Sequence, residues 1–286
     1  MSLGVLDWQE SCTAALGLVG AKAATLARLA HEGMPVPEFF VVPSTALSLH
    51  LGASGIAWPG STEAAGESGR LLRLGEELRA APVPPTVSRP VLDAYDRLCL
   101  TSGHPTVALR SSGAEEDSAA ASFAGQFASI LGVQGHAAVL DALRECWASY
   151  LTPKSLGYRA QRGIDVGPEP RFAVIVQVQV FSRKSGVLFT VHPLEPRSGM
   201  ACIEANFGTG DSVAGGLATP DTVMVSGDDR STSSVLTDVE AGELLNVGLR
   251  IERLLGGPQD IEWAYDDERL WILQARPITA LSLNGA

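Results

Sequence analysis

Two carboxylates, an amide and an arginine recur at alternate positions in one stretch of the sequence. They are Asp260 and Glu262 in Pro258-Gln-Asp-Ile-Glu-Trp-Ala-Tyr265, then Gln274 and Arg276 in Leu270-Trp-Ile-Leu-Gln-Ala-Arg-Pro277. Both runs read as β-strands joined by a short acidic turn. Side chains alternate along a strand, so Asp260 and Glu262 share one face and Ile261, Trp263 and Tyr265 the other; Leu270, Ile272, Gln274 and Arg276 share a face of the second strand. If Asp266-Asp267-Glu268 is a three-residue loop, Tyr265 pairs with Arg269 and Asp260 with Gln274, and the four polar residues meet on one surface. A four-residue loop puts the two pairs on opposite faces. Carboxylate and amide oxygens are hard donors that suit Mg²⁺, which keeps waters and phosphate oxygens as further ligands. An arginine beside them suits a polyphosphate. The pattern equally describes a hairpin with one solvated polar face, and the stretch by itself leaves both readings open.

Composition narrows the partners. The 286 residues carry a formal net charge of −11 and are 45% hydrophobic, which describes a globular chain and argues against nucleic acid or a membrane surface as partner. An acidic protein that handles phosphate must concentrate its few cations locally, so single Lys and Arg positions become informative. Cys12, Cys99, Cys146 and Cys202 show no CxxC spacing and read as reduced thiols. No charged leader with an apolar run opens the sequence, and no apolar stretch is long enough to span a bilayer. The expectation is a soluble, cytoplasmic protein.

The elements that would position a site follow in order. Residues 17–33 read as a glycine-bearing loop running into a helix with Leu26, Leu29 and Ala30 inward, stopped by Gly33, Pro35 and Pro37. Lys22 precedes Leu26 by one helical turn, where a lysine either snorkels or sits over an anion. Phe39–Val42 is a short strand, and helical patterns follow at about 69–81 and 90–100. Thr106–Asp117 is a strand running into a polar turn, with Arg110 at the strand end. Ser122-Phe-Ala-Gly125-Gln126 is a small loop able to lay backbone N–H groups on phosphate. Val139 to Leu151 marks an amphipathic helix. Phe172–Val180 reads as a strand with Val174, Val176, Val178 and Val180 on one face and Ile175, Gln177 and Gln179 on the other. Ser185–Val191 reads as its partner across a turn at Phe181–Lys184. Ile203–Gly216 is a strand into a glycine-rich loop, and residues 238–255 a helix closed by Gly256-Gly257.

Taken together the chain resembles the N-terminal nucleotide-binding domain of phosphoenolpyruvate synthase, pyruvate phosphate dikinase and rifamycin phosphotransferase. The segments that carry the resemblance are Leu18-Val-Gly-Ala-Lys-Ala, Pro35-Val-Pro, Val107-Ala-Leu-Arg-Ser-Ser, Ala121-Ser-Phe-Ala-Gly-Gln, Ser185-Gly-Val-Leu-Phe-Thr, Ile203-Glu-Ala, Thr219-Pro-Asp, Pro258-Gln-Asp-Ile-Glu-Trp and Ile272-Leu-Gln-Ala-Arg-Pro-Ile-Thr. They occur in family order across nearly the whole chain.

The resemblance implies an α+β, ATP-grasp fold of two subdomains, 1–180 and 181–286, with ATP between them. It implies that Lys22 and Arg110 hold ATP phosphates. Asp260, Glu262 and Gln274 would face Mg²⁺, and Arg276 the transferring phosphates. The adenine would sit near Gln177, Gln179 and Val180, the loop with Gly125 and Gln126 would cover the phosphates, and Glu204 would lie near the nucleotide. Gly20-Ala21-Lys22 stands where the family often has Gly-Gly-Lys. The family's full-length enzymes pass phosphate through a histidine in a Thr-Ser-His context, which His31, His50, His104, His136 and His192 all lack; His192 reads as a local hydrogen-bonding residue. The expected activity is a stand-alone kinase moving a phosphoryl group from MgATP to a hydroxyl of a small metabolite, a nucleoside or antibiotic-pathway intermediate included, with Asp117, Glu204 or Asp211 as acceptor base. The alternative is the ATP-binding subunit of a split dikinase that phosphorylates a histidine on a separate protein. An ATP-grasp ligase and a non-catalytic ATP-binding module are the remaining readings.

Overall fold

The computed structural model describes residues 4–58, 68–114, 128–162, 167–208, 220–227 and 229–278. In chain order the elements are β1 (Leu6–Asp7), α1 (Trp8–Thr13), α2 (Leu16–His31), β2 (Phe39–Val42), α3 (Ser44–Ser54), α4 (Ser68–Ala80), α5 (Pro85–Ser102), β3 (Thr106–Gly113), β4 (Ser129–Gln134), α6 (His136–Ser149), α7 (Pro153–Arg162) and β5 (Phe172–Val178). They continue with β6 (Lys184–Phe189), β7 (Ala201–Phe207), β8 (Asp221–Ser226), β9 (Asp229–Arg230), α8 (Asp238–Leu255), β10 (Gln259–Tyr265) and β11 (Leu270–Pro277).

Two units result. The first holds the described residues up to Ala27 and those from Glu38 to Gln179; the second holds Arg28–Pro37 and the described residues from Val180 onward. The class is α+β, as the sequence leads one to expect, with an antiparallel sheet in each unit. Residues 28–37 lie within the expected 1–180 but pack with the second unit, because Leu29 and Met34 are buried in its core and the Ile272 N–H donates to the Pro35 carbonyl.

In the first unit the strand order is β1-β2-β5-β3-β4. Phe40, Val42, Val107, Leu109, Val174 and Val176 line one face of that sheet and pack against Leu47, Leu78, Val91, Leu143 and Trp147 of the helices. The strand period leaves Ala108, Arg110, Ser112, Ile175 and Gln177 on the opposite face, where the registers set Arg110 beside Ile175 and Ala108 beside Gln177. α5 begins earlier than its apolar pattern suggests. Pro85 fills the first helical position, where a missing N–H costs nothing, and the internal Pro90 does not end the helix.

In the second unit the order is β11-β10-β6-β7-β8-β9. Leu188, Ile203, Val223, Ile261, Trp263, Ile272 and Ala275 face Leu244, Leu245 and Ile251 of α8. α8 approaches closely at Gly248, where a Cβ would come within 2.4 Å of Leu188 Cδ2. Its start is fixed by a capping box between Thr237 and Glu240, and Lys184 Nζ donates to both Glu240 oxygens at 2.7 and 2.8 Å.

The strand pairing expected from the sequence is corrected here. β5 and β6 do not form a hairpin: β5 pairs with β2 and β3, and β6 with β10 and β7. The segment between them is not a turn. The Gln179 N–H still donates to Thr106 in the first unit, whereas the Arg183 N–H donates to Tyr265 in the second.

Candidate functional site

The polar set near the C-terminal hairpin is assembled by an irregular ladder. Tyr265 pairs with Leu270, so four residues connect the strands, yet Asp260 pairs with Arg276 and Glu262 with Gln274. The ladder shifts between Glu262 and Trp263, where Leu273 is the extra residue on β11. A bulge moves the following residues to the other face. It cancels the offset of the longer loop, so Asp260, Glu262, Gln274 and Arg276 share one surface. Leu270 and Ile272, expected beside Gln274 and Arg276, point instead into the core under α8.

On that surface Asp260 Oδ2 accepts from Arg276 Nε at 2.8 Å and Nη2 at 2.6 Å. The registers extend it across the sheet: Glu262 lies opposite Val187, Val187 opposite Glu204, and Glu204 opposite Thr222. Glu204 is therefore two strands, roughly 10 Å, from Glu262. Among the described residues no group of three or more His, Cys, Asp or Glu side chains could hold a metal ion alone. The donor set fits Mg²⁺ that takes one or two carboxylates, an amide oxygen, and waters or phosphate for the rest.

In the first unit, Lys22 and Arg110 are tied to one place by Gly20 and Ser112. Gly20 has φ 78° and ψ 165°, which breaks α2 at that residue and which a side chain rarely adopts. A Cβ there would lie 2.1 Å from the Ser112 carbonyl oxygen. Beyond the break, the Ala23 N–H donates to Ser112 Oγ at 3.0 Å. α2 is thus seated on the face of β3 that carries Arg110, with Lys22 between the two anchoring residues. Ser112 was not singled out from the sequence, although it stands two residues after Arg110 and the strand period puts both on one face.

Gln177 is buried on the same face, and its Nε2 has no hydrogen-bond partner among the described residues. A buried amide donor left unpaired is costly, and an acceptor atom of a nucleobase would satisfy it. The Gln179 side chain is engaged otherwise, since its Oε1 accepts from the Gly132 N–H. Val180 is the first residue of the second unit in this part of the chain. His192 Nδ1 accepts from the N–H groups of Leu194 and Glu195 at 3.2 and 2.8 Å, so the ring closes a local turn. Gly125, Gln126, Asp117 and Asp211, named from the sequence, lie outside the described residues.

Residues 16–234 and 228–285 match the family described as pyruvate phosphate dikinase, AMP/ATP-binding domain. A probable phosphoenolpyruvate synthase from Methanocaldococcus jannaschii is 31% identical over 98% of this chain and 27% of its own length. A rifampicin phosphotransferase from Streptomyces sviceus is 34% identical over 97% of this chain and 36% of its own. The chain therefore spans about a third of the length of these curated relatives. Among solved structures, the D-alanine-D-alanine ligase from Coxiella burnetii aligns over 93% of this chain and 49% of its own, with a TM-score of 0.40 and 9% identity. No helix among the described residues is long and apolar enough to cross a membrane.

Proposed function

Because the chain belongs to the pyruvate phosphate dikinase AMP/ATP-binding domain family, we propose that it binds MgATP and transfers a phosphoryl group to a hydroxyl of a small metabolite. The observation that carries this reading is the bulged ladder that brings Asp260, Glu262, Gln274 and Arg276 onto one surface. Phosphoryl transfer asks a protein mainly to position reactants and offset charge. In this reading Lys22 and Arg110 of the first unit bind phosphate oxygens, and Gln177 donates to the base. In the second unit Glu262 and Gln274 offer oxygen ligands to Mg²⁺, and Arg276 meets the charge that builds on the transferring group. Bound Mg²⁺ supplies neutralisation of the phosphate oxygens. Glu204 shares the polar surface and is the described candidate for the base that takes the acceptor's proton.

A second reading is that the phosphoryl group goes to a histidine of a phosphohistidine protein or domain. It is favoured by the relatives named phosphoenolpyruvate synthase and rifampicin phosphotransferase, of which this chain covers only 27% and 36%.

Purified chain incubated with MgATP and a panel of hydroxylated metabolites, nucleosides included, separates the two. ADP together with a phosphorylated acceptor establishes the kinase. AMP, or no turnover until a histidine-bearing partner is added, establishes the relay. No nucleotide binding under any condition overturns both.

A further inference from the structure

Two neighbouring rows cross the polar face of the second sheet, and their chemistry differs. One runs Gln274, Glu262, Val187, Glu204, Thr222, with an oxygen donor at every position but Val187. The other runs Arg276, Asp260, Phe189, Cys202, Met224, and beyond its ion pair it holds an aromatic ring and two sulfur side chains. Hard cations select oxygen, so the first row suits Mg²⁺ and the second does not.

Asp260 is also committed. Its Oδ2 takes both Nε and Nη2 of Arg276, and the two side chains are only 12% and 22% exposed. The single negative charge of Asp260 already compensates a largely buried guanidinium through Oδ2, and a divalent cation on the other oxygen would have to share that charge, at a cost to the pair. The pairing also fixes the plane of the guanidinium, with its Nη1 side turned away from the carboxylate.

We propose that Asp260 is a positioning residue for Arg276 and not a ligand of the divalent cation, which is held from the neighbouring row by Glu262 and Gln274. The cross-strand pair aims Arg276 at the phosphoryl group, and the bulge at Leu273 keeps the two rows side by side. The inference rests on the MgATP reading above.

The test measures two quantities on the full chain: MgATP affinity by calorimetry, and Mn²⁺ half-saturation by electron paramagnetic resonance with ATP present. Glu262→Gln is expected to raise the Mn²⁺ half-saturation roughly 10-fold or more. Asp260→Asn is expected to leave it within about 2-fold of wild type while weakening MgATP roughly 10-fold to 100-fold, as loss of a charge-assisted contact does. Asp260→Glu, which keeps the charge but displaces the carboxylate by one methylene, is expected to do the same and serves if Asp260→Asn folds poorly. Combined with Arg276→Met, Asp260→Asn is expected to add nothing, because the two act as one unit.

Asp260 variants that raise the Mn²⁺ half-saturation as Glu262→Gln does would overturn the positioning role, and so would variants that leave both quantities unchanged. A wild-type chain that binds no MgATP overturns the nucleotide reading and takes this inference with it.

Discussion

Lys22 stands between Gly20 and Ala23, two residues that are anchored on Ser112. Gly20 takes a backbone conformation open to glycine, and its Cα lies against the Ser112 carbonyl. Gly20→Ala should therefore cost about 3 kcal/mol or more, from strain at positive φ and from the clash together. A urea unfolding midpoint equal to wild type would contradict this. Lys22→Ala removes only the charge and stem; turnover is expected to fall about 10²-fold to 10³-fold with the fold intact. A variant that folds and turns over normally removes Lys22 from the phosphate site. His50 bears on stability and not on chemistry. It is fully buried and its ring stacks on Trp147 at 5.0 Å. Burial pushes its pKa below the usual 6.5, with Arg144 adding to the effect and the Leu78 carbonyl opposing it. That carbonyl lies at the end of α4, where residue 82 is a proline with no N–H to offer. In the unfolded chain His50 titrates near 6.5, so the unfolded state binds the proton first. Stability is full above about 6.5 and is lost as pH falls from there toward the folded pKa. A melting-temperature series from pH 7.5 to 5 should show this slope flattened in His50→Phe; an unchanged slope would clear His50 of the effect.

The hairpin of β10 and β11 shows how far alternation carries and where it stops. A three-residue loop would place Asp260, Glu262, Gln274 and Arg276 together; the strands use four residues, and the same four still meet because Leu273 bulges. The grouping was legible because it depends on residue types spaced by two. The route was not, because a bulge has no residue signature in Ile272-Leu273-Gln274. The β5–β6 pairing failed for a related reason. Two strand-like runs four or five residues apart look like a hairpin, and only long-range partners, Phe39 and Ala108 for Gln177 and Trp263 for Gly186, show that they belong to different sheets. The bounds of α8 are legible from its apolar stripe and the closing Gly256, and the structure adds a Thr237–Glu240 capping box at its start. Deleting Leu273 should leave Glu262 facing Gln274 and Asp260 facing Arg276 in a regular ladder, with nucleotide binding retained. Inserting one alanine between Gln274 and Ala275 should turn Arg276 to the helix side and abolish binding. Calorimetry on the two variants checks both, and equal affinities would show that the ladder does not control the site.

At the scale of the molecule, two separate cores matter most. One is built around Trp147 and Phe172, the other around Trp263 and Ile203. Each unit carries its own part of the proposed chemistry, Lys22 and Arg110 in the first and the polar face of β10 and β11 in the second. A ligand that engages only the folded protein stabilises it by about 2.7 kcal/mol at 100 times its Kd. For units of this size that is a rise of roughly 5–10 °C in melting temperature. The rise alone does not say which unit is engaged, whereas amide hydrogen exchange does, because opening is local. If both halves touch the nucleotide, saturating MgATP slows exchange in β3 and β5 as well as in β6 and β10. ATP with a chelator slows it less in the second unit, where Glu262 and Gln274 lie. Protection confined to β6 and β10 would leave Lys22 and Arg110 without a phosphate to hold, and the assignment in the first unit would fall while that in the second stood.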